Sequence, residues 1–351
     1  VELTWTLPNA VAGVMVLSLN AYVLLGGADF GGGVWDLFAR GKVRDEQRAV
    51  IAEAIGTIWE ANHVWLILVV VLLFGCFPRS FAHLATELHI PITLMLLGIV
   101  LRGSAFTFRT YDSKADVVQR RWGRVFSVAS VATPIVLGMC LGAVSSGAVA
   151  PSRAVTAIGF SARYLMPWLA SPFAWSVGAF TLVLFAYLAA TYLTVEAPTH
   201  PLREIFRRRA MQSALLLLVV ALLTIAGAWR EAPLLARGLT QGRVALCMHA
   251  VTAIAAVMAF RALWLRQYQL ARLAAAAQAS FILWGWAWSQ FPWLLPPDLS
   301  ITSLAAPRIT LQLTLGVLAI GTLILLPSFI YLFRIFKTGG TAFDGVRESA
   351  P

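Results

Sequence analysis

The sequence predicts an all-α polytopic membrane protein of about nine transmembrane helices, and three observations carry that prediction. Of 351 residues, 59% are hydrophobic and only 12% charged, whereas an average soluble domain is about 25% charged. The hydrophobic residues gather into long runs, and short basic stretches separate them. At roughly 20 to 25 residues per span plus loops, the length accommodates about eight to ten helices. Helical form follows because lipid offers no partner for backbone N–H and C=O groups.

This composition excludes a soluble enzyme and a disordered chain. The excess of 27 Lys and Arg over 16 Asp and Glu, a formal +11, does not point to nucleic acid, because no basic cluster is interleaved with aromatics for base stacking. Nine runs cover residues 8–38, 50–77, 80–109, 122–148, 164–195, 210–229, 243–264, 269–293 and 308–336. The first opens soon after Val1, is longer than a signal-peptide core and has no obvious small-residue cleavage site, so it reads as a true span. Loops after odd-numbered runs, with the C-terminal tail, carry 19 basic residues; the opposite loops carry 7, and Arg102 lies within a run. The positive-inside rule then places the N-terminus outside and the C-terminus in the cytoplasm.

Cys76, Cys140 and Cys247 lie in separate runs without C-x-x-C spacing, so buried structural thiols are expected rather than a disulfide framework or a zinc site. Asn20-Ala21-Tyr22-Val23-Leu24-Leu25 in the first run echoes Phe185-Ala186-Tyr187-Leu188-Ala189-Ala190 in the fifth. The match hints at a parallel repeat, though it is short enough to arise by chance.

Ionisable groups at membrane depth cost a few kcal/mol or more and are functional candidates by default. The second run holds the densest set, Trp59-Glu60-Ala61-Asn62-His63-Val64-Trp65. Glu53, Thr57, Glu60 and His63 step by four, three and three residues, which sets them on one helical face. Such a stripe serves either as a proton path or as a polar seam bonded to a neighbouring subunit. Asp29 sits within Gly26-Gly27-Ala28-Asp29-Phe30-Gly31-Gly32-Gly33, where glycines let another backbone approach closely. A lone Arg102 in mid-span demands a partner, and Asp29 or Glu60 is expected to supply it. His63, His89 and His249 fall in different runs with no pair at matching depth, so no metal or haem is expected in this chain. The tryptophans of Trp284-Gly285-Trp286-Ala287-Trp288 read as an interfacial belt, or else as a shelf for a quinone or lipid tail. A secondary transporter or ion channel using Asp29, Glu60 and Arg102 is the alternative function at this point.

Several segments together resemble subunit II of cytochrome bd-type quinol oxidases. They are Ala28-Asp29-Phe30-Gly31, Trp59 through Ile67, Phe77-Pro78-Arg79-Ser80-Phe81-Ala82, Leu97 through Phe106, and Trp288-Ser289-Gln290-Phe291-Pro292. The resemblance is specific over roughly the first 110 residues and looser after. It implies two four-helix bundles, 1–148 and 149–300, followed by a peripheral ninth helix and cytoplasmic tail over 301–351. It also implies a bacterial cytoplasmic membrane and a larger subunit I that carries haems of the b and d types and oxidises quinol, reducing dioxygen to water. This chain would bind no haem, with room for a structural quinone or lipid and for a small accessory subunit. Glu60 would carry protons toward the partner, with Glu53, Thr57 and His63 as the approach and Asp29 as a second buried acid. Trp59, Asn62, Trp65 and Arg102 would orient that site. Glu60 stands where the family often has Asp, and Gly26 stands where a second acid is common.

Overall fold

The computed structural model describes residues 6–56, 59–111 and 116–338. In chain order the helices are α1 (Leu7–Leu37), α2 (Arg44–Gly56), α3 (Trp59–Cys76), α4 (Pro78–Glu87), α5 (His89–Tyr111), α6 (Asp116–Ser145), α7 (Pro151–Thr156), α8 (Phe160–Tyr164), α9 (Met166–Leu169), α10 (Pro172–Glu196), α11 (His200–Glu231), α12 (Pro233–Thr240), α13 (Arg243–Trp264), α14 (Tyr268–Gln290) and α15 (Arg308–Thr338). The fold is all-α and polytopic, as the composition predicts. Seven helices among the described residues, α1, α5, α6, α10, α11, α13 and α15, are long and apolar enough to cross a membrane. The bent pair α3–α4 adds an eighth if it counts as one span, its two parts meeting at 117°. The eighth run also forms a long helix, α14, but Gln, Arg and repeated Trp keep it less apolar.

Local chemistry sets the boundaries. Thr6 caps α1 by accepting from the Asn9 amide, and Pro8 stands in the first turn. Ser171 caps α10 in the same way, accepting from Ala174 N at 3.0 Å with Pro172 following. A side-chain acceptor there satisfies an N–H that the helix cannot. That cap also starts the fifth long helix later than its run, and residues 164–169 belong instead to the end of α8 and to α9. The basic stretch before the sixth run is itself helical, because Leu202, Phe206 and Ala210 share a buried face. An antiparallel ribbon pairs Trp293–Leu295 with Leu299–Ser300, a feature the hydropathy pattern does not foretell.

Helices α1, α6 and α10 pack against one another at the centre. α3 and α5 flank α1 and α6 respectively, while α11 and α14 flank α10. A Cβ on Gly31 would fall 2.0 Å from the Phe185 carbonyl oxygen, so α1 and α10 meet only because that position has no side chain. Trp35 Nε1 donates across the same contact to Ala186 O at 2.7 Å. Tyr22 of the first echoing stretch and Phe185 and Tyr187 of the second belong to one core, although the second stretch meets α1 further along, at Gly27, Gly31 and Trp35. α15 touches α1 and α3 along one edge and leaves Leu313, Val317 and Ile320 exposed. Cys76 is buried, but Cys247 is exposed. The expectation of three buried thiols fails there because α13 turns only a narrow alanine-rich face inward.

Candidate functional site

Asp29 lies two turns before the C-terminal end of α1 and is buried. Its Oδ2 accepts a hydrogen bond from Asn62 Nδ2 of α3 at 2.7 Å. Asn62 is buried as well, so the bond is made out of water, where leaving either group unmatched costs about 1 to 3 kcal/mol. The next residue of α3, His63, sits half-buried, its ring centroid 5.9 Å from those of both Tyr22 and Phe30. The same histidine lines a cavity of about 520 Å³ together with Ser104 and Thr107 of α5. Trp65 packs half-buried against the core that holds Tyr22 and Phe30.

Arg102 of α5 is 1% exposed, yet it makes no ion pair among the described residues, and its Nε and Nη2 find no hydrogen-bond acceptor. The expected ion pair with Asp29 is absent among the described residues, and the alternative partner, Glu60, has its side chain outside them. The guanidinium lies instead between two rings, 4.7 Å from the centroid of Phe30 and 5.3 Å from that of Phe126. Ring faces carry partial negative charge, and each such contact is worth up to about 2 kcal/mol when desolvated. Asp29 is close enough to feel the Arg102 charge, but Asn62 occupies its carboxylate.

The rest of the predicted set is only partly brought together. Glu53 is exposed on α2, a helix that packs on α1 and α10. Glu60 and Trp59 belong to the first turn of α3, but their side chains, like all of Thr57, lie outside the described residues. The stripe therefore divides between α2 and α3. His89 is exposed where α4 meets α5, its Nδ1 2.8 Å from Thr86 O. His249 is exposed on α13, so the three histidines do not converge. Trp286 is not a simple belt residue: its Nε1 donates to Ser145 Oγ of α6 at 3.0 Å, beside Gln290 Nε2 at 2.7 Å.

Two buried acids escaped the sequence reading. Asp36 is 0% exposed, forms an ion pair with Arg48 Nε at 3.5 Å and accepts from Ser127 Oγ at 3.0 Å. Its signal was available, since seven residues from Asp29 is two helical turns on the same face. Glu87 on α4, also buried, takes Arg163 Nε at 3.0 Å and Nη2 at 2.5 Å. Nothing in the sequence joins those two positions.

A carboxyl, an amide and an imidazole enclosed by aromatic rings beside an unpaired cation can take up and release a proton inside an apolar core. A family model described as cytochrome bd terminal oxidase subunit II matches residues 7–336. The cytochrome bd ubiquinol oxidase subunit 2 of Bacillus subtilis (strain 168) is 33% identical over 120 residues, 34% of this chain and 34% of that protein. The matched stretch thus spans about a third of the relative's length. A second relative from the same organism, provisionally named a cytochrome bd menaquinol oxidase subunit II, is 21% identical over 328 residues, 90% of this chain and 91% of its own. A chain in the solved structure of bd oxidase from Geobacillus thermodenitrificans has the same fold, with a TM-score of 0.75 and 23% identity, over 94% of this chain and 98% of that one.

Proposed function

Because the chain belongs to the cytochrome bd terminal oxidase subunit II family, we propose that it pairs with a larger, haem-bearing subunit I and helps bring protons to it from the cytoplasm. In this reading the complex oxidises a quinol and reduces dioxygen to water, and the redox centres belong to the partner. The N-terminus lies outside and the C-terminus in the cytoplasm, in keeping with 19 basic residues against 7.

The observation that carries the reading is the buried pair Asp29–Asn62 next to His63 and Arg102. Asn62 bonds one carboxyl oxygen of Asp29, and the Arg102 guanidinium lies nearby without an ion pair among the described residues. A relay needs a protonatable group so placed inside the core. Glu60, two residues before Asn62 on the same helix, delivers the proton toward the partner in this scheme, and exposed Glu53 receives it from water. Tyr22 and Phe30 pack their rings against His63. The family match favours this over a transporter in which Asp29, Glu60 and Arg102 bind a substrate.

The experiment is purification through a tag on this chain, followed by a reduced-minus-oxidised visible spectrum and a denaturing gel. Haem bands with a second, larger polypeptide are expected; a stable single chain with no haem overturns the pairing. In the complex, Glu60→Gln should slow oxygen consumption roughly tenfold or more at unchanged haem content. Normal turnover in that variant overturns the part given to Glu60.

A further inference from the structure

Below Asp29, the centre of the protein holds a line of polar groups that the Glu53–Glu60 stripe does not use. Asp36 stands about 10 Å from Asp29 along α1, near the helix's C-terminal end. It is fully buried, bonded to Ser127 of α6 and ion-paired with Arg48, whose side chain is 24% exposed. One end of this line therefore touches solvent through Arg48, and the other lies in the apolar core.

From Ser127 the line continues up α6 through Ser130 and Thr133, all three buried. Two glycines let these hydroxyls pack directly against the neighbouring helices. A Cβ on Gly33, between the two acids of α1, would fall 2.1 Å from Ser130 Oγ. A Cβ on Gly98 of α5 would fall 2.1 Å from Thr133 Oγ1. Ser130 and Thr133 donate to the carbonyls four residues back at 2.7 and 2.8 Å, while the single Ser127 hydroxyl proton can go to Asp36 Oδ2 at 3.0 Å or to Gly123 O at 2.9 Å. Pro134 has no N–H to give the Ser130 carbonyl, so a further acceptor is left in mid-helix. One turn beyond Gly98 stands Arg102, with its two buried donors unmatched. Buried donors of this kind are almost always satisfied.

We propose that Asp36, Ser127, Ser130 and Thr133 form a second proton entry limb, rising from Arg48 at the cytoplasmic surface to Asp29 and Arg102. The limb rests on the proton-delivery reading above and adds an entrance to it. The hydroxyls rise in steps of about 4.5 Å along α6, and a water spans each step. Asp36 takes up a proton as a carboxylate and gives the same proton on as a carboxylic acid. Each hydroxyl and water then takes a proton on a lone pair, releases its own O–H proton onward and turns back. No electron moves, and Asp29 holds the proton until it passes it on. Arg102 anchors the last water with its free Nε and Nη2, and Asp29 receives the proton.

The test uses the complex with subunit I. One variant is Asp36→Asn; a second combines Ser127→Ala, Ser130→Ala and Thr133→Val, removing the hydroxyls at nearly constant volume. Oxygen consumption per haem should fall roughly fivefold or more in both, with a larger solvent deuterium effect and an unchanged KM for quinol. Hydroxyls that serve only as packing would lower the melting temperature and leave the rate and the isotope effect alone, which overturns the limb. Should Asp36→Asn fail to assemble, the hydroxyl variant decides. If Glu60→Gln slows turnover and both limb variants run normally, the limb falls and the wider reading stands; if none of the three slows, both fall. Slow limb variants beside a normal Glu60→Gln assign the proton traffic to this limb.

Discussion

Asp29 and Asp36 lie on one face of the same helix, two turns apart, and are held in opposite ways. Asp36 has a cation, Arg48, in an ion pair and a serine hydroxyl at 3.0 Å. Asp29 has an amide at 2.7 Å, and the nearest cation, Arg102, is occupied by the rings of Phe30 and Phe126. The lower acid is tied to a side chain that reaches water, while the upper one is bonded to a buried amide. In the proposed relay Asp36 therefore collects a proton from the solvent side through Arg48, and Asp29 receives it in the core.

The strongest way to break this comparison is at Gly33, which stands between the two acids. Gly33→Val places carbon where Ser130 Oγ sits and should cost about 1 to 3 kcal/mol or more through overpacking, read as a lower melting temperature of the complex and loss of haem signal on mild heating. Next is Asn62→Leu, which keeps the volume and removes the one donor to Asp29. It should destabilise by about 1 to 3 kcal/mol, and the melting curve should show more loss than Ser127→Ala, after which Asp36 still has Arg48. The smallest effect on stability is expected from Arg102→Met. A buried cation with no ion pair is often replaced by an apolar side chain at no cost or with a gain, so the melting temperature should hold within about 1 kcal/mol, while oxygen consumption falls. A large loss of stability instead would mean that Arg102 is bonded more tightly than its two rings provide.

Much of this was legible in the sequence. The runs gave the long helices, because hydropathy alone decides what lipid accepts. Asp29, Asn62 and His63 were singled out correctly as buried or half-buried polar groups in apolar helices. The glycines after Asp29 were read as a close-approach surface, and Gly31 against Phe185 O is that surface. The rings of Phe30 and Phe126 around Arg102 were not legible, because two aromatic faces on different helices leave no trace in local pattern. Asp36 was passed over because it lies near the end of its run, where a charge usually reaches water. Only the packing of α6 against α1 shows that Ser127 encloses it. Glu87 and Arg163, 76 residues apart, meet through tertiary packing alone.

The central claim is that Asp29 passes protons rather than merely packing helices together. The most direct measurement is oxygen consumption per haem by the purified complex carrying Asp29→Asn, a change that keeps shape and a hydrogen-bond acceptor for Asn62 but cannot release a proton. Turnover roughly tenfold or more below wild type, at equal haem content and melting temperature, is the predicted result. Wild-type turnover from that assembled variant would contradict the account.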